Sequence, residues 1–420
     1  MKIKYLEIKD FRGFSNAEIK LDSKSTIFFG VNGVGKTSLL RAINLLYASI
    51  INKSVNRAEL RQKYNIELND IRFGKPETFI QGEFIFNSDK SIEYGRGMSK
   101  KNGYRFDNKK ALLDIAKSIQ ESYKEDGNHD NIPVFVNYGT NRLVLDIPLR
   151  IKTHHEFDIY SAYEKAIENR IDFRTFFEWY RNQEDAENSI KVERKDFDYV
   201  DRSLNAVRNA ILSMLPEFDN IHISRKPRLE MVVEKNGQKL NVAQLSDGEK
   251  CVLAMFGDLA KRLSLANPKL DNPLLGEGVV LIDEIELHMH PSWQRKILGV
   301  LKRTFPNIQF IITTHSPIVL SEVDDSYKVI FMSTEDNETK LTDFNRLDGF
   351  DINYILEEFM GTKSKNENTE KLVRALYDSI DHKDINSINL YLKKLIDLTN
   401  ENNEDVIMAE MLLKRKGITL

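Results

Sequence analysis

The chain has 420 residues, 41% of them hydrophobic and 10% aromatic, which suits a globular protein with the cores of about two or three domains. A balance of 61 Lys and Arg against 64 Asp and Glu leaves a net charge of −3, which excludes an overall basic field for nucleic acid but not a local basic patch. The single cysteine, Cys251, excludes an internal disulfide and a thiolate metal cluster.

The N-terminal part is predicted to be a set of strands around one helix. Alternating or continuous apolar patterns predict strands at 2–9, 17–21, 26–29 and 78–86. Apolar residues at helical spacing predict a helix over 38–46. Residues 87–110 are rich in Ser, Lys, Gly and Asn, which predicts a solvated loop, and the alternative is a nucleic-acid patch at Ser99-Lys100-Lys101. The alternating start of the chain and the absence of an apolar run near about 18 residues predict a cytoplasmic protein without a membrane segment.

The middle of the chain is predicted to be mainly helical. A buried strand at 132–138 ends in a polar elbow, residues 139–142, where a ligand could sit. Residues 160–215 carry aromatic and aliphatic side chains at helical spacing, with an interruption around 182–188, and this pattern predicts a helical lobe. Residues 220–242 are predicted to form a hairpin that turns at Asn236-Gly237.

The C-terminal part combines buried strands with a helical tail. A helix is predicted from 246 to about 263, and strands end at Ile282 and Thr314. In the tail, 351–360 is predicted to be helical, 361–370 to be a polar break and 371–415 to form two or three amphipathic helices. A tail of this size is too short for a catalytic domain, so we expect it to dock a partner.

The first chemical motif runs from Gly30 to Thr37 and fits the phosphate-binding pattern G-x-x-x-x-G-K-[ST], hereafter the P-loop. Its glycines let successive N–H groups turn towards a phosphate, and the start of the following helix adds a positive dipole end. Lys36 is predicted to reach the β and γ phosphates, and the Thr37 hydroxyl to ligate Mg²⁺. The alternative is a glycine turn before an ordinary helix.

A second motif is the apolar run Gly278 to Ile282, which ends in two carboxylates as a Walker B strand does. Asp283 is predicted to hold Mg²⁺ through its water shell, opposite Thr37. Glu284 is predicted to polarise the attacking water, since phosphoryl transfer depends on positioning and charge stabilisation. A strand end with solvated acids is the alternative.

The third motif, Leu245 to Glu249, opens the predicted helix at 246. Ser246 and Glu249 have the spacing of a capping box, which explains both residues but leaves Gly248 unexplained. Gly248 would leave bare N–H groups at the helix tip, and such a tip is an anion site. With this motif the chain resembles the ABC-type ATPase superfamily, whose signature L-S-x-G-[EQ] it carries intact.

That resemblance implies an α/β fold: a P-loop NTPase head with an ABC-type core sheet, a helical insertion lobe and a C-terminal helical extension. It also implies that the signature binds the γ-phosphate held by the P-loop of a second copy. The partner is then the chain itself, in a head-to-tail dimer or a larger homo-oligomer. His315, at the end of an apolar strand, would be the switch residue that touches the γ-phosphate, and would otherwise be an ordinary surface histidine.

The predicted site residues follow from these motifs. The catalytic residues are Lys36, Glu284 and His315, and the metal ligands are Thr37 and Asp283. The residues predicted to bind the nucleotide are Arg12, Gly30, Asn32, Gly33, Val34, Gly35, Lys36, Thr37, Ser38, Ser246, Gly248 and Glu249. Arg12 is included because the resemblance implies a basic residue near the phosphates. The glutamine-loop residue stays open between Gln81 and Asn141-Arg142, and a loop or dimer contact is favoured over metal binding at His288 and His290.

The flanks of the motifs indicate a branch of the superfamily. Residues 10–14, 283–294 and 314–317 look like the soluble SMC, RecF and OLD group and not like transporter ATPases. The chain lacks the heptad arms of SMC proteins and room after 333 for the Toprim nuclease of OLD enzymes. Within the group it resembles the PtuA family, the ATPases of Septu-type anti-phage systems and their retron-encoded relatives, through 137–142, 173–188 and 353–356.

The PtuA resemblance implies an ATP- and Mg²⁺-dependent switch that controls a partner HNH nuclease, PtuB, through nucleotide-dependent head dimerisation. For the retron relatives it implies a reverse transcriptase and its nucleic acid as further partners. The alternatives are a RecF-like DNA-repair clamp that binds DNA, a transporter ATPase subunit, and a sensor that hydrolyses ATP very slowly. The predicted domains are an N-terminal ATPase lobe (1–150), a helical insertion lobe with the hairpin (151–240), a C-terminal ATPase lobe (241–345) and a helical docking tail (346–420).

Overall fold

The computed structural model describes residues 1–55, 60–61, 64–86, 90–103, 105–124, 126–142, 156–336, 338–344, 350–363 and 365–418. These fall into a head unit, Met1–Phe350, and a tail unit, Asp351–Leu420. The domain boundaries predicted at 150/151 and 345/346 lie outside the described residues, so the division of the head into lobes stays a prediction.

The strands among the described residues all belong to the head unit. In chain order they are β1 (Lys2–Phe11), β2 (Phe14–Lys20), β3 (Ser25–Phe29), β4 (Glu77–Phe86), β5 (Lys90–Ser99), β6 (Arg105–Asp107), β7 (Val134–Tyr138), β8 (Phe218–Ser224), β9 (Glu230–Lys235), β10 (Gln238–Asn241), β11 (Gly278–Ile282), β12 (Ile308–Thr314), β13 (Tyr327–Glu335) and β14 (Glu338–Phe344).

The helices are divided between the two units. Those of the head are α1 (Lys36–Ser54), α2 (Lys109–Gln120), α3 (Phe173–Arg194), α4 (Arg202–Met214), α5 (Asp247–Ala266), α6 (Pro291–Gln294), α7 (Ile297–Thr304) and α8 (Pro317–Leu320). Those of the tail are α9 (Ile352–Glu358), α10 (Glu367–Asp381), α11 (Ile385–Leu398) and α12 (Glu404–Arg415). Among the described helices, none combines the length and the apolar character needed to cross a bilayer.

The central sheet of the head has the strand order β14-β13-β3-β12-β11-β7. Its pairs are parallel except for β13 with β14. The strands β3, β7, β11 and β12 are buried along their whole length, as expected for a parallel sheet covered on both faces. Because parallel strands end at the same edge, the segments after these four strands meet at one place, hereafter the carboxyl edge.

A second, antiparallel sheet with the order β2-β1-β4-β5-β6 lies across α1 from the central sheet. Tyr47 of α1 stacks on Phe135 of β7 with ring centroids 3.9 Å apart, and it meets Phe84 of β4 edge-on at 5.4 Å. The Gln309 amide of β12 also pairs with both backbone groups of Ile3 in β1, each at 2.8 Å. The helix that follows the P-loop therefore packs between the two sheets.

Two predictions about local structure are wrong. Residues 87–110 were predicted to be a loop, but β5 pairs with β4 along its full length and is followed by β6 and the start of α2. The strand could not be recognised from its polar composition, because a charged residue occupies an inward position. Arg96 is 7% exposed, and its side chain points inward and donates to the Leu45 carbonyl. The predicted interruption at 182–188 is absent because α3 runs through it, with Glu184 and Glu187 buried against Arg208.

The other strands and helices of the chemical motifs are confirmed with small changes of boundary. The hairpin turning at Asn236-Gly237 is formed by β9 and β10, and β8 joins it as a third strand. In the tail, three helices follow α9, and α10 begins earlier than predicted because Asn366 caps it. These three helices share one apolar core formed by Leu376, Ile380, Ile388, Leu392, Leu395, Val406, Ala409 and Leu413.

We expect Leu376→Ala to loosen the tail unit. Leu376 is fully buried, so its truncation removes contacts and leaves a cavity that costs about 2–5 kcal/mol. The same substitution at Leu390, which is 50% exposed, should cost less than about 1 kcal/mol. Hydrogen exchange of the amides in α10 to α12 would measure both, and equal protection in the two variants would contradict the assigned core.

Candidate functional site

The P-loop joins β3 to α1 at the carboxyl edge. Gly35 is the N-cap of α1 with φ +103°, a left-handed conformation that a glycine adopts without strain. No described side chain caps this helix start, so the N–H groups of its first turn remain free to bind an anion. Asn32 and Gly33 are exposed and Val34 is buried, and the Val34 carbonyl accepts a hydrogen bond from Thr339 at 3.1 Å.

Lys36 lies folded back across the P-loop. Its ammonium donates to the carbonyls of Gly30 and Val31 at 2.8 and 2.9 Å, and the residue is 5% exposed. Burial lowers the pKa of Lys36 to about 8, against the opposing effect of Asp283 and Glu284 nearby. Among the described residues this buried ammonium donates only to neutral carbonyls, so a stronger acceptor such as a phosphate oxygen could replace them.

Thr37 and Asp283 meet although they lie far apart in sequence. The Thr37 hydroxyl donates to one carboxylate oxygen of Asp283 at 2.9 Å, and the Thr313 hydroxyl donates to the other at 2.5 Å. A hydroxyl and a carboxylate side by side supply the hard oxygen ligands that Mg²⁺ prefers. The predicted metal ligands are therefore adjacent and chemically suited to the ion.

Glu284 and His315 face each other at the ends of β11 and β12. The His315 Nε2 lies 4.0 Å from a carboxylate oxygen of Glu284. Burial, together with the charge of Lys36, lowers the pKa of His315 below its ordinary value, so the ring is neutral near pH 7. This pair has the separation that one water molecule could bridge.

Glu286 is a site residue that the sequence reasoning missed. Its carboxylate accepts the backbone N–H of His315 at 2.6 Å and the Thr314 hydroxyl at 2.7 Å, so it fixes the backbone that carries the histidine. The signal was present, since a third carboxylate follows Asp283-Glu284 after one apolar residue. Its partners, however, are on another strand.

The signature caps α5 as its sequence predicts. Ser246 is the N-cap, its Oγ and N–H both bond to Glu249, and the other oxygen of Glu249 accepts from Lys235. A Cβ at Gly248 would lie 2.5 Å from the His288 carbonyl oxygen, so close packing also explains why a side chain is absent there. The described contacts of the signature are with these neighbours and not with the P-loop of the same chain.

The remaining predicted residues lie in different surroundings. Arg12 donates to Asp70 at 2.8 Å and shares that carboxylate with Arg41. Gln81 lies on β4, where its amide bonds to Glu93. The elbow, Gly139 to Arg142, follows β7 and does reach the carboxyl edge.

The elbow is less open to a ligand than predicted. Thr140 and Asn141 are exposed, whereas Arg142 is 1% exposed and turned inward. Its guanidinium donates to the backbone carbonyls of Asp283 and Glu284. Arg142 is therefore a second residue of the site that the sequence reasoning did not place.

Comparisons with known proteins bear on the same residues. A family model described as "AAA domain, putative AbiEii toxin, Type IV TA system" matches residues 25–321, a span that contains the P-loop, the signature, Asp283-Glu284 and His315. "Retron Ec83 probable ATPase" of Escherichia coli is 29% identical over 391 residues, covering 77% of this chain and 70% of that protein. "Retron Vc95 probable ATPase" of Vibrio cholerae serotype O1 biovar El Tor is 30% identical over 384 residues, covering 79% and 73%. "Septu protein PtuA" of Bacillus thuringiensis is 22% identical over 419 residues, covering 89% and 92%.

We expect nucleotide binding to take up a proton above about pH 8. The pKa of Lys36 is about 8 in the free protein, and a bound triphosphate would stabilise the ammonium and raise that pKa. Near pH 9 most free molecules therefore carry a neutral Lys36 that must be protonated on binding, so affinity falls as pH rises. Calorimetry in two buffers of different ionisation enthalpy measures the uptake at about pH 7 and pH 9. Lys36→Arg, which stays charged, should abolish it, and unchanged uptake in that variant would assign the proton to another group.

Proposed function

The chain belongs to the AAA-domain family described as "AAA domain, putative AbiEii toxin, Type IV TA system" and is an ATPase related to Septu PtuA and the retron ATPases, and on this premise we propose that it is the ATP-driven switch of an anti-phage defence complex. The observation that carries the proposal is the convergence of Lys36, Thr37, Asp283, Glu284 and His315 at one carboxyl edge. Together these residues would bind the phosphates, ligate the metal and activate the attacking water at one site.

Each side chain has a defined task in hydrolysis. Lys36 leaves the carbonyls of Gly30 and Val31 and binds the β and γ phosphate oxygens. Thr37 and Asp283 would hold Mg²⁺, which neutralises charge on the phosphates. Glu284 accepts a proton from the attacking water, and the neutral His315 ring orients that water against the γ-phosphate.

A second copy of the chain would complete the site. The signature tip has no described contact with the P-loop of its own chain, while Ser246 and the first turn of α5 offer an anion-binding helix start. In a head-to-tail dimer, the signature of one copy would close over the triphosphate held by the other. ATP would then hold the two heads together, and hydrolysis would release them.

The tail unit offers the surface for a partner. Ile407, Met408 and Met411 of α12 are exposed, Met411 by 62%. A pocket of about 820 Å³ within the tail lies beside Met408 and is lined by more acidic than basic residues: Asp351, Glu357, Glu370, Glu404 and Asp405 against Lys363 and Lys365. Apolar side chains beside an acidic pocket suit a partner with a basic, apolar segment. The partner we propose is an HNH nuclease.

We expect Glu284→Gln to slow ATP hydrolysis by about 10²- to 10⁴-fold while ATP binding persists, because the amide cannot accept the proton from water. Light scattering with ATP and Mg²⁺ should then detect a stable dimer. The matched change Glu322→Gln alters a surface carboxylate bonded to Arg295 and should leave hydrolysis unchanged.

Two results would count against these roles. Hydrolysis at the normal rate would remove Glu284 from its role. A slow variant that stays monomeric with saturating ATP and Mg²⁺ would overturn the dimer.

We expect Met411→Glu to prevent co-purification with an HNH nuclease encoded beside the gene, because a charge would enter the apolar part of the tail surface. ATP hydrolysis should persist, since no residue of the site described above belongs to the tail unit. Val192→Glu is the matched control, because Val192 is an apolar residue of the head that is 70% exposed, against 62% for Met411.

An equal loss of the nuclease in both variants would contradict docking by the tail. Salt-sensitive, ATP-dependent binding of duplex DNA without a nuclease would favour a RecF-like clamp instead.

A further inference from the structure

Arg142 is a buried cation that holds the backbone of the two acidic residues at the end of β11. Its Nη1 donates to the Asp283 carbonyl at 2.7 Å, and its Nη2 donates to the Glu284 carbonyl at 2.5 Å. The residue is 1% exposed and lies 141 positions away from Asp283 in sequence. Both groups it holds belong to residues with a proposed chemical task.

Charge pairing among the described residues does not explain the position of Arg142. None of their carboxylates forms an ion pair with it, its Nε has no hydrogen-bond partner among them, and its other polar neighbour is the buried thiol of Cys251. A buried guanidinium without a carboxylate is unfavourable, and proteins tolerate such groups mainly where function requires them. Its two strong hydrogen bonds therefore point to the backbone of Asp283 and Glu284 as its purpose.

The backbone of Glu284 has an unfavourable conformation that requires support from its surroundings. Glu284 has φ +48°, in the left-handed region that residues with a side chain rarely adopt. The direction of the Cα–Cβ bond, and with it the place of the carboxylate, follows from the orientation of the two peptide planes on either side of the Cα atom.

Arg142 and Thr313 hold both planes. In the plane between Asp283 and Glu284, the carbonyl accepts from Arg142 and the N–H donates to the Thr313 hydroxyl at 2.8 Å. In the plane between Glu284 and Ile285, the carbonyl accepts from Arg142 and the N–H donates to the Thr313 carbonyl at 3.1 Å. All four polar groups around Glu284 are thus bonded to Arg142 or Thr313, and the Glu284 carbonyl also accepts the Leu287 N–H at 2.9 Å.

We propose that Arg142 is a positioning residue for ATP hydrolysis, which holds both peptide planes of Glu284 and so aims its carboxylate at the water beside His315. The inference rests on the role proposed above for Glu284. Because Arg142 is 1% exposed and turned towards the backbone of Asp283 and Glu284, we expect it to act through the Glu284 carboxylate. Its removal should therefore lower turnover without weakening the binding of ATP.

The decisive experiment is a double-mutant cycle of Arg142→Ala and Glu284→Gln. Alone, Arg142→Ala should lower kcat about 10- to 100-fold, because a small misplacement of a reacting group has an effect of this size. KM and the affinity for a fluorescent ATP analogue should stay within about twofold. The double variant should be no slower than Glu284→Gln. The amide introduced at position 284 cannot accept the proton from water, so its misplacement has no further effect on kcat.

Two further measurements separate positioning from folding. Free guanidinium ion should partly restore kcat in Arg142→Ala, while having no such effect on Glu284→Gln. Arg142→Lys keeps the charge but cannot span two carbonyls with a planar fork, so it should also be slow. Arg202→Lys is the matched control, because the Arg202 guanidinium also holds two backbone carbonyls, of Pro268 and Leu270, away from the site. It should keep its kcat.

The outcomes separate the two claims. If Glu284→Gln hydrolyses ATP at the normal rate, the role proposed for Glu284 fails and the inference fails with it. If Glu284→Gln is slow but Arg142→Ala slows it further by the same factor as in the unmodified protein, Arg142 acts independently and only the positioning role is overturned. If circular dichroism shows that Arg142→Ala is unfolded, Arg142→Lys replaces it in the double-mutant cycle. The outcomes of the double variant are then interpreted in the same way.

Discussion

The carboxylate of Asp283 is the point on which the site depends. It accepts hydroxyl hydrogen bonds from Thr37 at the start of α1 and from Thr313 on β12, and the Asp283 N–H donates to the Tyr138 carbonyl at the end of β7. Segments from four places in the sequence are thereby joined at the residue that directly follows β11. The P-loop, the predicted metal ligands and the segments that carry Glu284 and His315 are held together by this shared anchor.

The same anchor is connected to the signature helix. The Tyr138 hydroxyl donates to Asp258 of α5 at 2.9 Å, and Arg262 of the same helix bonds to that carboxylate at 2.7 Å. Burial opposes ionisation of Asp258, but Arg262 and Lys261 hold its pKa below the ordinary value. A buried ion pair adds little net stability, so its main effect here is to fix how α5 lies against β7. A ligand at the tip of α5 would therefore act on a helix bonded to the end of β7, where the Tyr138 carbonyl holds the Asp283 N–H.

Local patterns in the sequence were sufficient to predict the P-loop, Asp283-Glu284, the capping box and most strands, because each depends on residues a few positions apart. Arg142 and Glu286 could not be placed in this way, since their partners lie on other strands and are known only once the sheet order is known. The strand β5 was missed because a buried Arg96 breaks the apolar alternation. Gly248 was ascribed to anion binding alone, whereas the carbonyl that also requires it belongs to a loop 40 residues later.

The charges at the carboxyl edge bear on the form of nucleotide that can bind. Asp283, Glu284 and Glu286 all act on Lys36, and the His315 ring is neutral near pH 7, so the three carboxylates are accompanied by two cations, Lys36 and Arg142. A bare triphosphate would add further negative charge to a site that already has an excess of it. Thr37 and Asp283 offer oxygen ligands at the point where a divalent cation would relieve this repulsion. From this charge balance we expect the magnesium complex of ATP to bind more tightly than free ATP.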